Sequence, residues 1–177
     1  MKIPRAKRVR LAGAIAAAIA VVLTLWIARP RSGSIERAGI GRPLPSLEVA
    51  LKTLDGETIR LDDLEGPLLI NFWASWCRPC IREFPLFAQA LQENPDLSVL
   101  GVVYDDSAAA AREFARSLEA GWTSVEDPQD RLARTFGVST PPGIPQTFFI
   151  NGNRILTSRI YGEMTQERLT RELDGVL

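Results

Sequence analysis

The chain has 177 residues with 21 basic and 21 acidic side chains, two cysteines and no histidine. That inventory argues against a zinc centre, which needs about four Cys, His or carboxylate ligands, and against a Cys-x-x-Cys-His haem attachment, because Ile81 follows Cys80. The neutral total conceals an asymmetry: residues 1–31 carry seven basic and no acidic side chains, leaving 14 basic and 21 acidic in the rest, a body without the basic patch that nucleic acid requires.

Lys2, Arg5, Lys7, Arg8 and Arg10 make residues 1–10 a basic segment. Leu11 to Ala28 follows without a charge, and as a helix it spans about 27 Å at ~1.5 Å per residue, near the thickness of a bilayer's hydrocarbon. Trp26 stands where a cleavage site needs small residues, so 11–28 reads as an uncleaved transmembrane signal anchor. The basic excess on its N-terminal side keeps 1–10 in the cytoplasm and puts the body outside. Residues 29–43, rich in Gly, Pro, Arg and Ser, read as a linker, and 44–177 as one domain.

Within that domain Leu47–Leu51 and Thr58–Leu61 alternate like half-buried strands around the Asp55-Gly56 turn signal, predicting a β-hairpin. Leu68–Trp73 is a continuous apolar run, as in a strand covered on both faces. A helix is expected from Cys77 to Gln92, interrupted at Pro85 where the ring removes a hydrogen bond. Leu97–Tyr104 reads as a second buried strand, Ser107–Glu119 as a helix with Ser107 as N-cap, Trp122–Val125 as a short strand and Gln129–Phe136 as a short helix. Gly137 to Pro145 holds three prolines and is irregular. Gln146–Ile150 and Arg154–Tyr161 form a hairpin about Asn151-Gly152-Asn153, and Thr165–Leu173 closes the chain as a helix. Strands alternating with helices predict a mixed α/β sheet covered on both faces.

The motif that carries chemistry is Trp76-Cys77-Arg78-Pro79-Cys80, directly after the buried strand. A Cys-x-x-Cys entering a helix sets its sulfurs about one turn apart, on the order of 5 Å between Cα atoms, which suits a disulfide. The helix start stabilises a thiolate on Cys77, and Arg78 adds positive charge. A redox dithiol is the sharper reading. A purely structural bridge is the other, though so short a loop constrains the unfolded chain little.

The run Asn71-Phe72-Trp73-Ala74-Ser75-Trp76-Cys77-Arg78-Pro79-Cys80-Ile81-Arg82-Glu83-Phe84-Pro85, with Gly143-Ile144-Pro145-Gln146-Thr147-Phe148-Phe149-Ile150 after it, resembles the thioredoxin fold and, more narrowly, the membrane-anchored TlpA/ResA/CcmG group of thiol-disulfide oxidoreductases. The resemblance implies a thioredoxin-like α/β fold with an N-terminal hairpin extension, Cys77 as the exposed attacking thiol and Cys80 as the buried resolving thiol. It implies a cis peptide bond at Pro145, with the Ile144 backbone free to pair with a client strand. Trp76, Arg78, Pro79, Ile144 and Pro145 are the candidate client-binding residues. Asn71 is an amide where ordinary thioredoxins carry an aspartate, and Gln146 departs from the threonine or glutamate of the group's branches.

Glu83 stands three residues after Cys80, on the same helical face, where the group carries an acid. Burial raises such a carboxyl's pKa and suits it to accept a proton near neutral pH; the alternative is a solvated residue that favours the helix start. The resemblance implies reduction of client disulfides, apocytochrome c among them, at the bacterial cytoplasmic membrane. The domain would sit on the periplasmic or extracytoplasmic side, draw electrons from a membrane thiol transporter of the CcdA/DsbD type, and need no metal or organic cofactor. A thiol peroxidase is disfavoured by Ala74, where a threonine belongs. A tethered factor that holds clients without reducing them stays open.

Overall fold

An apolar run with no polar face is satisfied only in the middle of a sheet covered on both sides, and Leu68–Trp73 lies there, all six residues buried. The computed structural model describes residues 38–45, 50–118, 120–140 and 142–177. The predicted basic segment 1–10, the anchor 11–28, linker residues 29–37, Leu47–Val49 of the first predicted strand, and Pro141 lie outside the described residues.

In chain order the elements are β1 (Ala50–Lys52), β2 (Thr58–Arg60), a single 3-10 turn (Leu61–Asp63), β3 (Leu68–Trp73), α1 (Arg78–Glu93), β4 (Ser98–Val103), α2 (Ala108–Ser117), β5 (Thr123–Glu126), α3 (Arg131–Phe136), β6 (Gln146–Ile150), β7 (Leu156–Tyr161) and α4 (Gln166–Asp174). The fold is thioredoxin-like α/β. A five-stranded sheet has the order β5-β4-β3-β6-β7, with β3, β4 and β5 parallel and β6 and β7 antiparallel to their neighbours. β1 and β2 pair antiparallel as a separate two-stranded unit that reaches the β5 edge through a bridge between Thr53 and Val125.

Side chains alternate between faces along β3. Ile70 and Phe72 pack with Leu100, Val125, Leu132, Phe136 and Phe148 on one face, while Leu69 packs with Phe87, Phe149, Leu169 and Leu173 on the other. A third cluster gathers Trp73, Cys77, Cys80, Phe84 and Ala111 at the end of β3. The Trp73 and Phe84 rings meet edge to face with centroids 5.1 Å apart. Gly101 in β4 leaves room for the Trp73 indole: a Cβ there would lie 2.3 Å from Ser124 Oγ and 2.7 Å from Trp73 Nε1.

The structure departs from the sequence reading in three places. α1 runs through Pro85 without a break; the ring sits on the exposed side, and Phe84 and Phe87 beside it are anchored in the interior. The last hairpin keeps its tight turn, with the Arg154 N–H donating to the Asn151 carbonyl at 2.9 Å, but its second strand starts later than Arg154. Its strands stop at Ile150 and start again at Leu156, and the Asn151 carboxamide oxygen accepts from the backbone N–H groups of Asn153 and Ile155, each at 3.1 Å. Arg154 then adopts a φ of 62°, and its guanidinium donates to the carbonyls of Leu61 and Leu64 at 3.1 and 3.0 Å. Finally, α3 begins at Arg131 and not at Gln129, because Asp130 is left-handed and the first-turn N–H groups are taken by Asp127, at 2.8 Å from Arg131, 3.2 Å from Leu132 and 2.9 Å from Ala133.

Candidate functional site

The site is built where β3 ends and α1 begins. The connecting loop is pinned from the β4–α2 side: the backbone N–H of Ser75 donates to Asp106 Oδ2 at 2.7 Å and Trp76 Nε1 donates to the Asp105 carbonyl at 3.0 Å. Cys77 is the N-cap of α1, its Sγ accepting from the Cys80 N–H at 3.3 Å, and Pro79 occupies the first turn, where a missing N–H costs nothing. Cys77 and Cys80 form a disulfide with Cα atoms 5.3 Å apart. Cys80 is fully buried, and in this disulfide-bonded form Cys77, which the resemblance implies to be the exposed thiol, has 4% of its surface accessible. The chain around it accounts for this, since Leu54, Trp73, Ala74 and Ile144 belong to the same cluster.

Trp76 and Arg78 are exposed, the tryptophan by 58%, and Pro79 is half-buried. Ile144 is half-buried, and its peptide bond to the buried Pro145 is cis. A cleft of about 520 Å³ opens beside Trp76, lined among others by Val103, Asp105, Ser107, Glu126 and Asp130. Among the described residues no group of three or more Cys, His, Asp or Glu side chains is arranged to hold a metal ion.

Glu83 is fully buried. Burial pushes its pKa up to about 8, and two donors act in the opposite direction by stabilising the anion: the Met164 N–H, 2.6 Å from Oε1, and Asn71 Nδ2, 3.2 Å from Oε2. Asn71 also donates to Thr147 Oγ1 at 3.1 Å, so one amide joins β3, α1 and β6. The neighbouring residues repeat the connection at the surface, where the Arg82 guanidinium grips the Glu163 carboxylate, Nε at 2.7 Å from Oε1.

A model of the AhpC/TSA family matches residues 40–159. The chain belongs to the AhpC/TSA family. It is 32% identical over 146 residues to the thiol:disulfide interchange protein HelX of Rhodobacter capsulatus, covering 75% of this chain and 80% of that one. It is 29% identical over 132 residues to the thiol-disulfide oxidoreductase ResA of Geobacillus thermodenitrificans, covering 73% and 74%. A structure of MTB dsbF in mixed oxidised and reduced forms superposes with a TM-score of 0.67 at 28% identity, over 76% of this chain and 99% of that one. With its Cys-x-x-Cys pair joined as a disulfide, this AhpC/TSA chain is a thiol-disulfide oxidoreductase.

Cys77, Cys80 and Glu83 stand out in the sequence, but what holds the Glu83 carboxyl does not. The partners of Glu83 lie 12 and 81 residues away, and one of them is a backbone N–H that carries no side-chain signature. The amide at Asn71 was visible as a departure from aspartate, and its two donors are what a second acid there could not supply while ionised.

Proposed function

We propose that this chain is a membrane-anchored, extracytoplasmic enzyme that reduces disulfides in client proteins, apocytochrome c before haem attachment among them. The observation that carries the reading is the Cys77–Cys80 disulfide capping α1, one helical turn from a buried carboxyl. In the reduced enzyme, the Cys77 thiolate attacks one sulfur of a client disulfide, forming a mixed disulfide and releasing the other client sulfur as a thiolate. Glu83, with a pKa near the ambient pH, accepts the Cys80 proton. The Cys80 thiolate attacks Cys77 Sγ, which forms the Cys77–Cys80 bond and expels the second client thiolate. Two electrons pass to the client, and a membrane thiol transporter of the CcdA/DsbD type restores the dithiol.

Trp76, Arg78, Pro79, Ile144 and Pro145 are the residues that meet the client. The exposed tryptophan and the cleft beside it support that assignment. The names HelX and ResA support the chemistry. The uncharged stretch 11–28 after five basic residues supports an anchor, with 44–177 on the periplasmic or extracytoplasmic side of a bacterial cytoplasmic membrane. Ala74 has no hydroxyl to offer a peroxidatic thiolate, which disfavours the peroxidase alternative.

The full-length protein, assayed for reduction of insulin disulfides with dithiothreitol as electron source, tests the reading. Cys77→Ser loses the activity, and Cys80→Ser accumulates a mixed disulfide with the client. Undiminished reduction by Cys77→Ser overturns it. Protease added to cells stripped of their outer barriers digests 44–177 if the topology holds and spares it otherwise.

A further inference from the structure

Gln146 is fully buried at the start of β6, next to the cis-proline. A buried amide lacking partners costs about 1–3 kcal/mol, and here both ends are used. Its Nε2 donates to the Gly143 carbonyl at 2.5 Å, and its Oε1 accepts from Arg159 Nη2. The same Nη2 donates to the Gly137 carbonyl at 2.9 Å. The guanidinium is held over the rings of Phe148 and Tyr161, 5.0 and 4.3 Å from their centroids. Gly162, next after Tyr161, donates its N–H to the Pro145 carbonyl at 3.0 Å.

One arginine thus fastens both the beginning and the end of the loop from Gly137 to Pro145. Successive residues of β6 face opposite sides of the sheet. Thr147 serves the Asn71 and Glu83 side, while Gln146 serves the other, so this strut makes no hydrogen bond to the disulfide or to Glu83. Tyr161, 51% exposed, is stacked on the same guanidinium and lies opposite Gln146 in the β6–β7 ladder.

We propose that Arg159 and Gln146 are positioning residues that hold the segment Gly143–Pro145 as a rigid edge for an extended polypeptide client. They govern how well a protein disulfide is bound and leave the thiol chemistry untouched. The proposal rests on the oxidoreductase reading above. A small disulfide needs only the two sulfurs, whereas a polypeptide needs the backbone edge beside them, and the two substrate sizes therefore separate the roles.

The test compares insulin with 5,5′-dithiobis(2-nitrobenzoic acid) on the full-length protein, together with the equilibrium potential against glutathione. Gln146→Leu raises KM for insulin by about tenfold, the scale of one lost hydrogen bond to a charged group, with kcat, the rate with the small disulfide and the potential unchanged. Gln146→Glu keeps the acceptor for Arg159 but loses the donor to Gly143, and it restores part of the affinity. Should Gln146→Leu fail to fold, Arg159→Lys reads the same split. An unchanged KM for insulin overturns the proposal, as does a fall in the small-disulfide rate or a shifted potential. Inactivity of the wild type toward both disulfides overturns the oxidoreductase reading, and this one with it.

Discussion

Asn71 Nδ2 lies 3.2 Å from Glu83 Oε2, a buried amide donating to a buried carboxyl across 12 residues of sequence. The pair explains why an amide stands within the apolar strand β3. With a neutral donor there, Glu83 is the single buried acid among the described residues, and one group titrates in place of a coupled pair. Its pKa of about 8 is set first by burial, and the Met164 and Asn71 donors draw it downward.

The first consequence is a pH-dependent stability. An unfolded glutamate gives up its proton near pH ~4.3, and the folded Glu83 gives it up near 8. Between those values the folded state holds a proton that the unfolded chain does not. The group's contribution is therefore complete below the unfolded value, declines as pH rises through the window, and levels off above the folded value. Urea unfolding of the oxidised protein between about pH 5 and pH 8 should show a loss on the order of a few kcal/mol that Glu83→Gln removes. Equal slopes for the two proteins would contradict the assignment.

Asn71→Asp places a second carboxylate against Glu83. Two acids at that distance cannot both ionise without penalty, so the variant should lose on the order of 3 kcal/mol at about pH 8 and less at about pH 5. Denaturant midpoints at the two pH values decide it, and a variant equally stable at both would be the wrong result.

Gly101→Ala forces a methyl group to within 2.3 Å of Ser124 Oγ and 2.7 Å of Trp73 Nε1. Overpacking of this kind costs about 1–3 kcal/mol. Pairing it with Ser124→Gly, which removes the nearer obstacle, should recover part of the loss in a thermal unfolding series.

Asp127→Ala removes the two carboxylate oxygens that accept from three N–H groups at the start of α3. A loss of about 1–2 kcal/mol is expected, with Asp127→Asn intermediate because one oxygen remains. Hydrogen exchange at Arg131–Ala133 should quicken in the alanine variant more than elsewhere.

What could be foreseen from the residues was whatever announces itself locally. The strand Leu68–Trp73 is apolar on both faces, Ser107 is the helix cap its side chain suggests, and Cys77 and Cys80 are one helical turn apart. Local rules failed where a distant partner decided the outcome. Pro85 leaves α1 unbroken because Phe84 and Phe87 anchor the helix on both sides of it. The Asn151 side chain braces the turn through Asn153 and Ile155, so that β7 starts only at Leu156, and Asp127 moves the start of α3 by reaching forward four to six residues. Gln146 stands out in the sequence only as an unusual residue, since its partner Arg159 lies 13 positions on in the next strand.

The indole of Trp76 is half in solvent, fixed by its bond to the Asp105 carbonyl, and one residue from Cys77. Sulfur–sulfur bonds extinguish nearby indole emission, so the molecule carries its own optical gauge: opening the bridge should brighten it, and a rapid-mixing fluorimeter could follow turnover without any dye.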